Sequence, residues 1–168
     1  MNKFEHIKSK IVSGIDLTRL LAFYRFKNQK IVFTNGCFDL IHLGHVEYLM
    51  QAANLGDVLI IGLNSDSSVI KIKCSGRPVL DQESRAMTLA AFSFVNIIVL
   101  FDEETPYELI KQVRPDILVK GGDYKPAEIV GYDIVKENGG EVKIVDFIKG
   151  YATSDIIKDI VSQIHPEK

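Results

Sequence analysis

Five short runs rich in β-formers, IVFTN, VLIIGLN, NIIVLF, DILVK and EVKIVDF, recur from Lys30 onward, and one amphipathic stretch separates each from the next. Most of these runs lack the polar alternation of a strand with one wet face. Strands of that kind, joined through helices, require a parallel sheet covered on both sides. The expected fold is therefore α/β, a Rossmann-like open parallel five-stranded sheet with helices on both faces. The intervening stretches are VEYLMQAANLG, a polar loop followed by ESRAMTLAAF, PYELIKQV, and PAEIVGYDIVKENGG; a last helical segment, TSDIIKDIVSQI, follows the fifth run. Gly56 and the Gly139-Gly140 pair stand where helices should stop, in the left-handed position that favours glycine.

At 168 residues the chain is expected to form a single domain over 1–168, with a helical appendage at 1–29 and the core at 30–165. Within the appendage Leu17, Leu20, Leu21 and Tyr24 repeat at helical spacing behind Asp16, a candidate cap. Residues 1–30 hold seven Lys or Arg against two acids, and the remainder holds 13 against 20. The whole chain carries a net charge of -2, which supplies no general field for nucleic acid. No nucleic-acid partner is expected, and the basic segment reads as a solvated face. The two cysteines, Cys37 and Cys74, form no CxxC or zinc-type spacing, so no structural metal is expected. No apolar run approaches the roughly 20 residues of a membrane helix, and MNKFEHIKSK lacks the apolar segment of a signal peptide. A soluble, cytoplasmic protein with no membrane partner is expected.

Parallel open sheets bind ligands at the carboxyl ends of their strands. After the first run comes Asn35-Gly36-Cys37-Phe38-Asp39-Leu40-Ile41-His42-Leu43-Gly44-His45, opening into a helix, with neither GxGxxG nor GxxxxGK[ST] anywhere in the chain. Gly36 permits close backbone approach, a helix N-terminus offers free N–H groups, and His42 and His45 lie three apart on one helical face. Gly44 leaves room for a bulky triphosphate. The same HxGH residues are also consistent with capping or core histidines around a packing glycine, or with two ligands of a metal whose third ligand is missing.

NGCFDLIHLGH resembles the (T/G)xFDxxHxGH signature of the cytidylyltransferase-like nucleotidyltransferases. The resemblance continues through NSDSSVIKIKCSGRPV, the Arg85 segment, LVKGGDY and a terminal TS before a helix, covering about residues 30–160. Within that family, NGCFD, NSD, GRPV and VKGGDYKPAEI are most similar to the ADP-heptose synthase type. That resemblance implies transfer of AMP from ATP to D-glycero-β-D-manno-heptose 1-phosphate, with release of pyrophosphate, in lipopolysaccharide core or surface glycan synthesis. The type is often fused to a sugar kinase, for which 168 residues leave no room, so a stand-alone transferase is expected. The resemblance also implies Mg²⁺ accompanying ATP and a homodimer or higher homo-oligomer. The alternatives are CTP with glycerol 3-phosphate, another acceptor on the same fold, and a nucleotide-binding module without turnover.

Carried onto this sequence, the resemblance makes His42, His45 and Lys73 catalytic. Asn35, Gly36, Cys37, Phe38, Gly44, Arg85, Lys120, Gly121, Gly122, Asp123, Thr153 and Ser154 become nucleotide-binding. Asp39, Lys71, Arg77 and Tyr124 become substrate-binding, with Asp39 on the sugar-phosphate side or near Mg²⁺. Arg77 and Arg85 have forked guanidiniums suited to phosphate, although an ion pair is the rival role for Arg85. Ala152 stands where relatives often have serine, which removes one hydroxyl from the phosphate cradle. Cys37 has no base or triad partner, so a nucleophilic role is not expected.

Overall fold

A computed structural model describes residues 2–73, 76–146 and 150–164. Cys74 lies outside the described residues. Five parallel strands form one sheet: β1 (Ile31–Gly36), β2 (Val58–Asn64), β3 (Ile97–Phe101), β4 (Ile117–Gly121) and β5 (Glu141–Val145). Their spatial order is β3-β2-β1-β4-β5, so the winding reverses direction between β1 and β4, the place at which open parallel sheets form their ligand crevice. The expected five-stranded Rossmann-like sheet is what forms.

The helices in chain order are α1 (Lys3–Lys8), α2 (Gly14–Phe26), α3 (Leu43–Ala53), α4 (Asp66–Ile72), α5 (Gln82–Ala90), α6 (Tyr107–Val113), α7 (Tyr132–Glu137) and α8 (Thr153–Ile164). Because successive strand residues point to opposite faces, β1 sends Phe33 to one side and Val32 to the other. Phe33 joins Ile60, Val99, Ile110, Val113 and Leu118 in one buried cluster, and Val32 joins Leu49, Ala52, Ile61, Leu89 and Val119 in a second. Burial on both faces explains why β2 carries no polar residue before Asn64. Among the described residues no helix is long and apolar enough to cross a membrane.

Several local expectations are corrected. The polar stretch after β2 is helical: the Ser65 side chain accepts a hydrogen bond from the Ser68 amide and starts α4. PAEIVGYDIVKENGG is not one helix but a 3₁₀ turn at Pro126–Glu128, then Gly131 at φ 87°, then α7. The cap of α2 is Ser13 rather than Asp16. Gly139 is left-handed (φ 76°), but Gly56 is small for another reason: a Cβ there would lie 2.7 Å from the Lys30 carbonyl oxygen.

Residues 1–29 are bound into the fold more closely than an appendage would be. Ile11 bridges Ile98 in parallel on the outer edge of β3, and Leu17 and Leu21 of α2 are buried in the first core cluster. Lys10 adds to the seal, its Nζ donating to the Ala90 and Phe92 carbonyls at 2.9 Å each.

Candidate active site

The crevice is built from the loop that leaves β1. Phe38 (φ 44°) and Leu40 (φ 49°) both adopt left-handed backbone, which is costly for residues with a Cβ. Between these two bends Asp39 turns inward, 1% exposed. Its Oδ2 accepts from Arg77 Nε and the Val79 amide, both at 2.8 Å, and its Oδ1 accepts from the Leu80 amide at 3.0 Å. Burial works against its charge, yet the two amides and the guanidinium outweigh it and hold the carboxyl below its usual pKa. Asp39 therefore clamps the 77–80 loop to the β1 loop. Its carboxylate is enclosed and occupied, which corrects the expectation that it faces substrate or metal.

Arg85 receives the same correction. It is fully buried. Its guanidinium donates to the carbonyls of Leu80, Cys37 and Asn64 and to Asp66 Oδ1, at 2.6 to 3.0 Å. One side chain thus ties together the ends of β1 and β2 and the 77–80 loop from beneath, with no exposed face for a nucleotide. The signal for that role was its place on the inner face of an amphipathic helix, where burial requires partners.

Above these supports lie the histidines. His42 is the N-cap residue of α3 and His45 sits one turn in; the His45 amide donates to the His42 carbonyl at 2.9 Å. The imidazoles stack with centroids 3.9 Å apart and planes 24° apart, and the Phe38 ring meets His45 edge-on at 5.5 Å. Burial lowers the pKa of His42. Burial, then the nearness of His42, pushes His45 down to about 4, with Arg77 adding to and Asp39 opposing the shift. Both rings are neutral at pH 7 without ligand. Both Nδ1 atoms are buried with no hydrogen-bond partner among the described residues, a cost that a bound polar group removes.

Gly44 is hemmed in by the protein itself. A Cβ there would lie 3.1 Å from His42 Nδ1 and 3.1 Å from Tyr151 Cβ, so the missing side chain makes room for the imidazole and for Tyr151. Sequence reasoning missed Tyr151, whose ring lies 6.5 Å from His42 at 24°. Its only signal was its place just ahead of ATS. Thr153, at the start of α8, donates from Oγ1 to the Asp39 carbonyl at 2.9 Å, which fixes that helix N-terminus beside the loop. Ser154 is exposed beside it.

The remaining expected residues divide into two groups. Asn35 and Lys120 meet across the β1–β4 seam, Lys120 Nζ to Asn35 Oδ1 at 3.4 Å. Lys73, at the C-cap of α4, is close enough for its charge to act on both Cys37 and Lys120. Burial raises the Cys37 thiol pKa against the pull of Lys73, Arg85 and Arg77. Gly36 leaves space for the Phe38 ring, and Gly122 (φ 108°) turns the chain after Gly121 while its amide donates to the Val145 carbonyl. Lys71 belongs elsewhere: its charge acts on Asp102, beyond β3. Asp123 and Tyr124 are exposed on the loop after β4.

The stretch of chain that carries this helix N-terminus, the stacked histidine pair and the lysines is matched by a known family model. The description "Cytidylyltransferase-like" applies to residues 33–159. The chain belongs to the cytidylyltransferase-like family. Its relatives include the bifunctional protein HldE of Syntrophotalea carbinolica, 48% identical over 92% of this chain and 32% of that protein. The bifunctional protein HldE of Campylobacter jejuni subsp. doylei is 55% identical over 94% of this chain and 34% of its own length. The chain thus spans about a third of the length of the curated relatives it matches. A crystal structure of the lipopolysaccharide core biosynthesis protein from Thermoplasma volcanium is also similar. Its TM-score is 0.58 and its identity 30%, over 74% of this chain and 99% of that one.

For a cytidylyltransferase-like site the question of magnesium turns on the donors present. Among the described residues no group of three or more His, Cys, Asp or Glu could hold a metal ion, and the Asp39 carboxylate is fully engaged. The described residues do not by themselves make a resident cation site. Magnesium fits here as part of the nucleotide substrate, bound by phosphate oxygens and water.

Proposed function

We propose that the chain transfers the AMP moiety of ATP to D-glycero-β-D-manno-heptose 1-phosphate, forming ADP-heptose and pyrophosphate for glycan synthesis. The observation that carries the chemistry is the neutral stacked pair His42/His45 with unpartnered buried nitrogens at the N-terminus of α3. A phosphate oxygen of the sugar attacks the α-phosphorus of magnesium–ATP. The bond from that phosphorus to the oxygen bridging the β-phosphate breaks, and pyrophosphate departs with the electron pair. The attacking phosphate has a second pKa of about 6 and is largely ionised near neutrality, so the reaction needs positioning and charge stabilisation more than a base. The imidazoles, the free amides of α3 and α8, Arg77 and Lys73 supply donors to the triphosphate as charge moves toward pyrophosphate.

The sugar is supported by the VKGGDYKPAEI segment, by relatives named bifunctional protein HldE, and by a structural neighbour described as a lipopolysaccharide core biosynthesis protein. A homodimer in the cytoplasm is part of the same reading. The test is pyrophosphate release from ATP or CTP crossed with heptose 1-phosphate, glycerol 3-phosphate, pantetheine phosphate and flavin mononucleotide. Turnover confined to ATP with heptose 1-phosphate is expected. Turnover only with CTP and glycerol 3-phosphate would replace both substrates, and silence in every combination would leave a nucleotide-binding module.

A further inference from the structure

The positive charges of the crevice are not equally provided for. Arg85 has Asp66, and Arg77 has Asp39. Lys120 has no carboxylate partner among the described residues; its single hydrogen bond is the long 3.4 Å contact to the neutral Asn35 amide oxygen. It is also half-buried at the end of β4, where hydration is reduced. Burial accordingly lowers its pKa, a shift that Lys73 reinforces and Cys37 opposes. Lys73, at the C-cap of α4, carries a second positive charge that acts on both Lys120 and Cys37, the residue that follows β1.

A half-buried ammonium that no carboxylate faces among the described residues, and an exposed second one acting on it, weaken the ligand-free protein. An anion placed between them reverses the sign of that interaction. The seam between β1 and β4 is also where the two reacting phosphates must approach each other despite their own repulsion. Lys120 lies on a strand and is fixed, while Lys73 closes a short helix at a chain segment exposed to solvent.

We propose that Lys120 is a catalytic residue that anchors the α-phosphate of the nucleotide, with Lys73 as its opposing partner. This rests on the nucleotidyltransferase reading above but needs no particular acceptor, and it assigns Lys120 to the reacting phosphate rather than to base or ribose.

The experiment contains no sugar, so it is independent of the heptose assignment. Dissociation constants of AMP and adenosine, and of CMP and cytidine in case the base differs, are measured for the wild type, Lys120→Met and Lys120→Arg at constant ionic strength. In the wild type the monophosphate should bind at least ten-fold more tightly than its nucleoside. Lys120→Met should bring that ratio close to one while leaving nucleoside affinity within about two-fold, and Lys120→Arg should restore part of it. A ratio unchanged in Lys120→Met, or equal loss of nucleoside and nucleotide binding, would overturn the assignment. So would a wild type that does not prefer the monophosphate.

Discussion

His45 has the most environment-dependent chemistry of any single residue here. In the folded protein its imidazole stays neutral down to about pH 4, whereas in the unfolded chain it takes a proton near 6.5. Between those values the unfolded state binds more protons, so stability must fall as pH is lowered from about 6.5 toward 4. Burial of His42 acts in the same direction. Melting temperatures across pH 7.5 to 4.5 should therefore decline more steeply for the wild type than for His45→Gln; equal slopes would mean that the imidazole is not withheld from protons. The Asp39 carboxyl, with its pKa held below the usual 3.8, adds a separate loss at still lower pH. Asp39→Asn at neutral pH should cost about 3 kcal/mol, because it leaves Arg77 facing a neutral amide in an enclosed site. A urea midpoint shift of well under 1 kcal/mol would show that the clamp between the two loops is dispensable.

At the level of elements, α3 reaches its place through a compromise between helix stability and imidazole packing. Gly44 weakens the first turn, and alanine would gain about 1 kcal/mol of helix propensity there. The alanine Cβ would also press on His42 and Tyr151 at 3.1 Å. Gly44→Ala should thus leave thermal stability within about 1 kcal/mol of the wild type while lowering turnover about ten-fold or more, since small displacements of a catalytic group are expensive. Comparable losses of both would indicate that the glycine serves folding alone. This compromise also marks what could be read in advance. Uninterrupted apolar runs foretold the parallel sheet, and HxGH marked the helix start at which the two imidazoles meet. The inward turn of Asp39 was not legible, because it depends on two left-handed residues, Phe38 and Leu40, that no glycine announces. Nor was the use of Arg85 as a brace, since its partners are carbonyls of residues 21 and 48 positions away in the chain. Tyr151 acquires meaning only when the start of α8 is brought beside the β1 loop.

At the scale of the whole molecule, the first 29 residues close the edge of β3 and complete one of the two cores. Leu17 is fully buried against that core, so Leu17→Ala should cost about 3 kcal/mol, a range usual for buried leucine. Its expression is a lowered urea midpoint with substrate affinities unchanged in the folded fraction; a loss below 0.5 kcal/mol would return these residues to the status of an appendage. Within this segment Leu17 and Leu21 face the core and Lys10 seals against the end of α5 and the chain after it, whereas Phe4, Ile15, Phe23 and Phe26 remain exposed.

The strand order also has a consequence for biosynthesis. A nascent chain that has passed residue 101 can already pair β3, β2 and β1, yet it leaves one backbone edge of β1 bare until Ile117–Gly121 has emerged. An open strand edge is a template for intermolecular pairing. The edge left waiting is the strand that carries the β1 loop, and the Thr153 hydroxyl that steadies this loop arrives later still. A ribosome stalled between residues 101 and 117 would therefore release a sheet-forming fragment with no catalytic crevice and a sticky side, which places the main hazard for aggregation during translation ahead of β4.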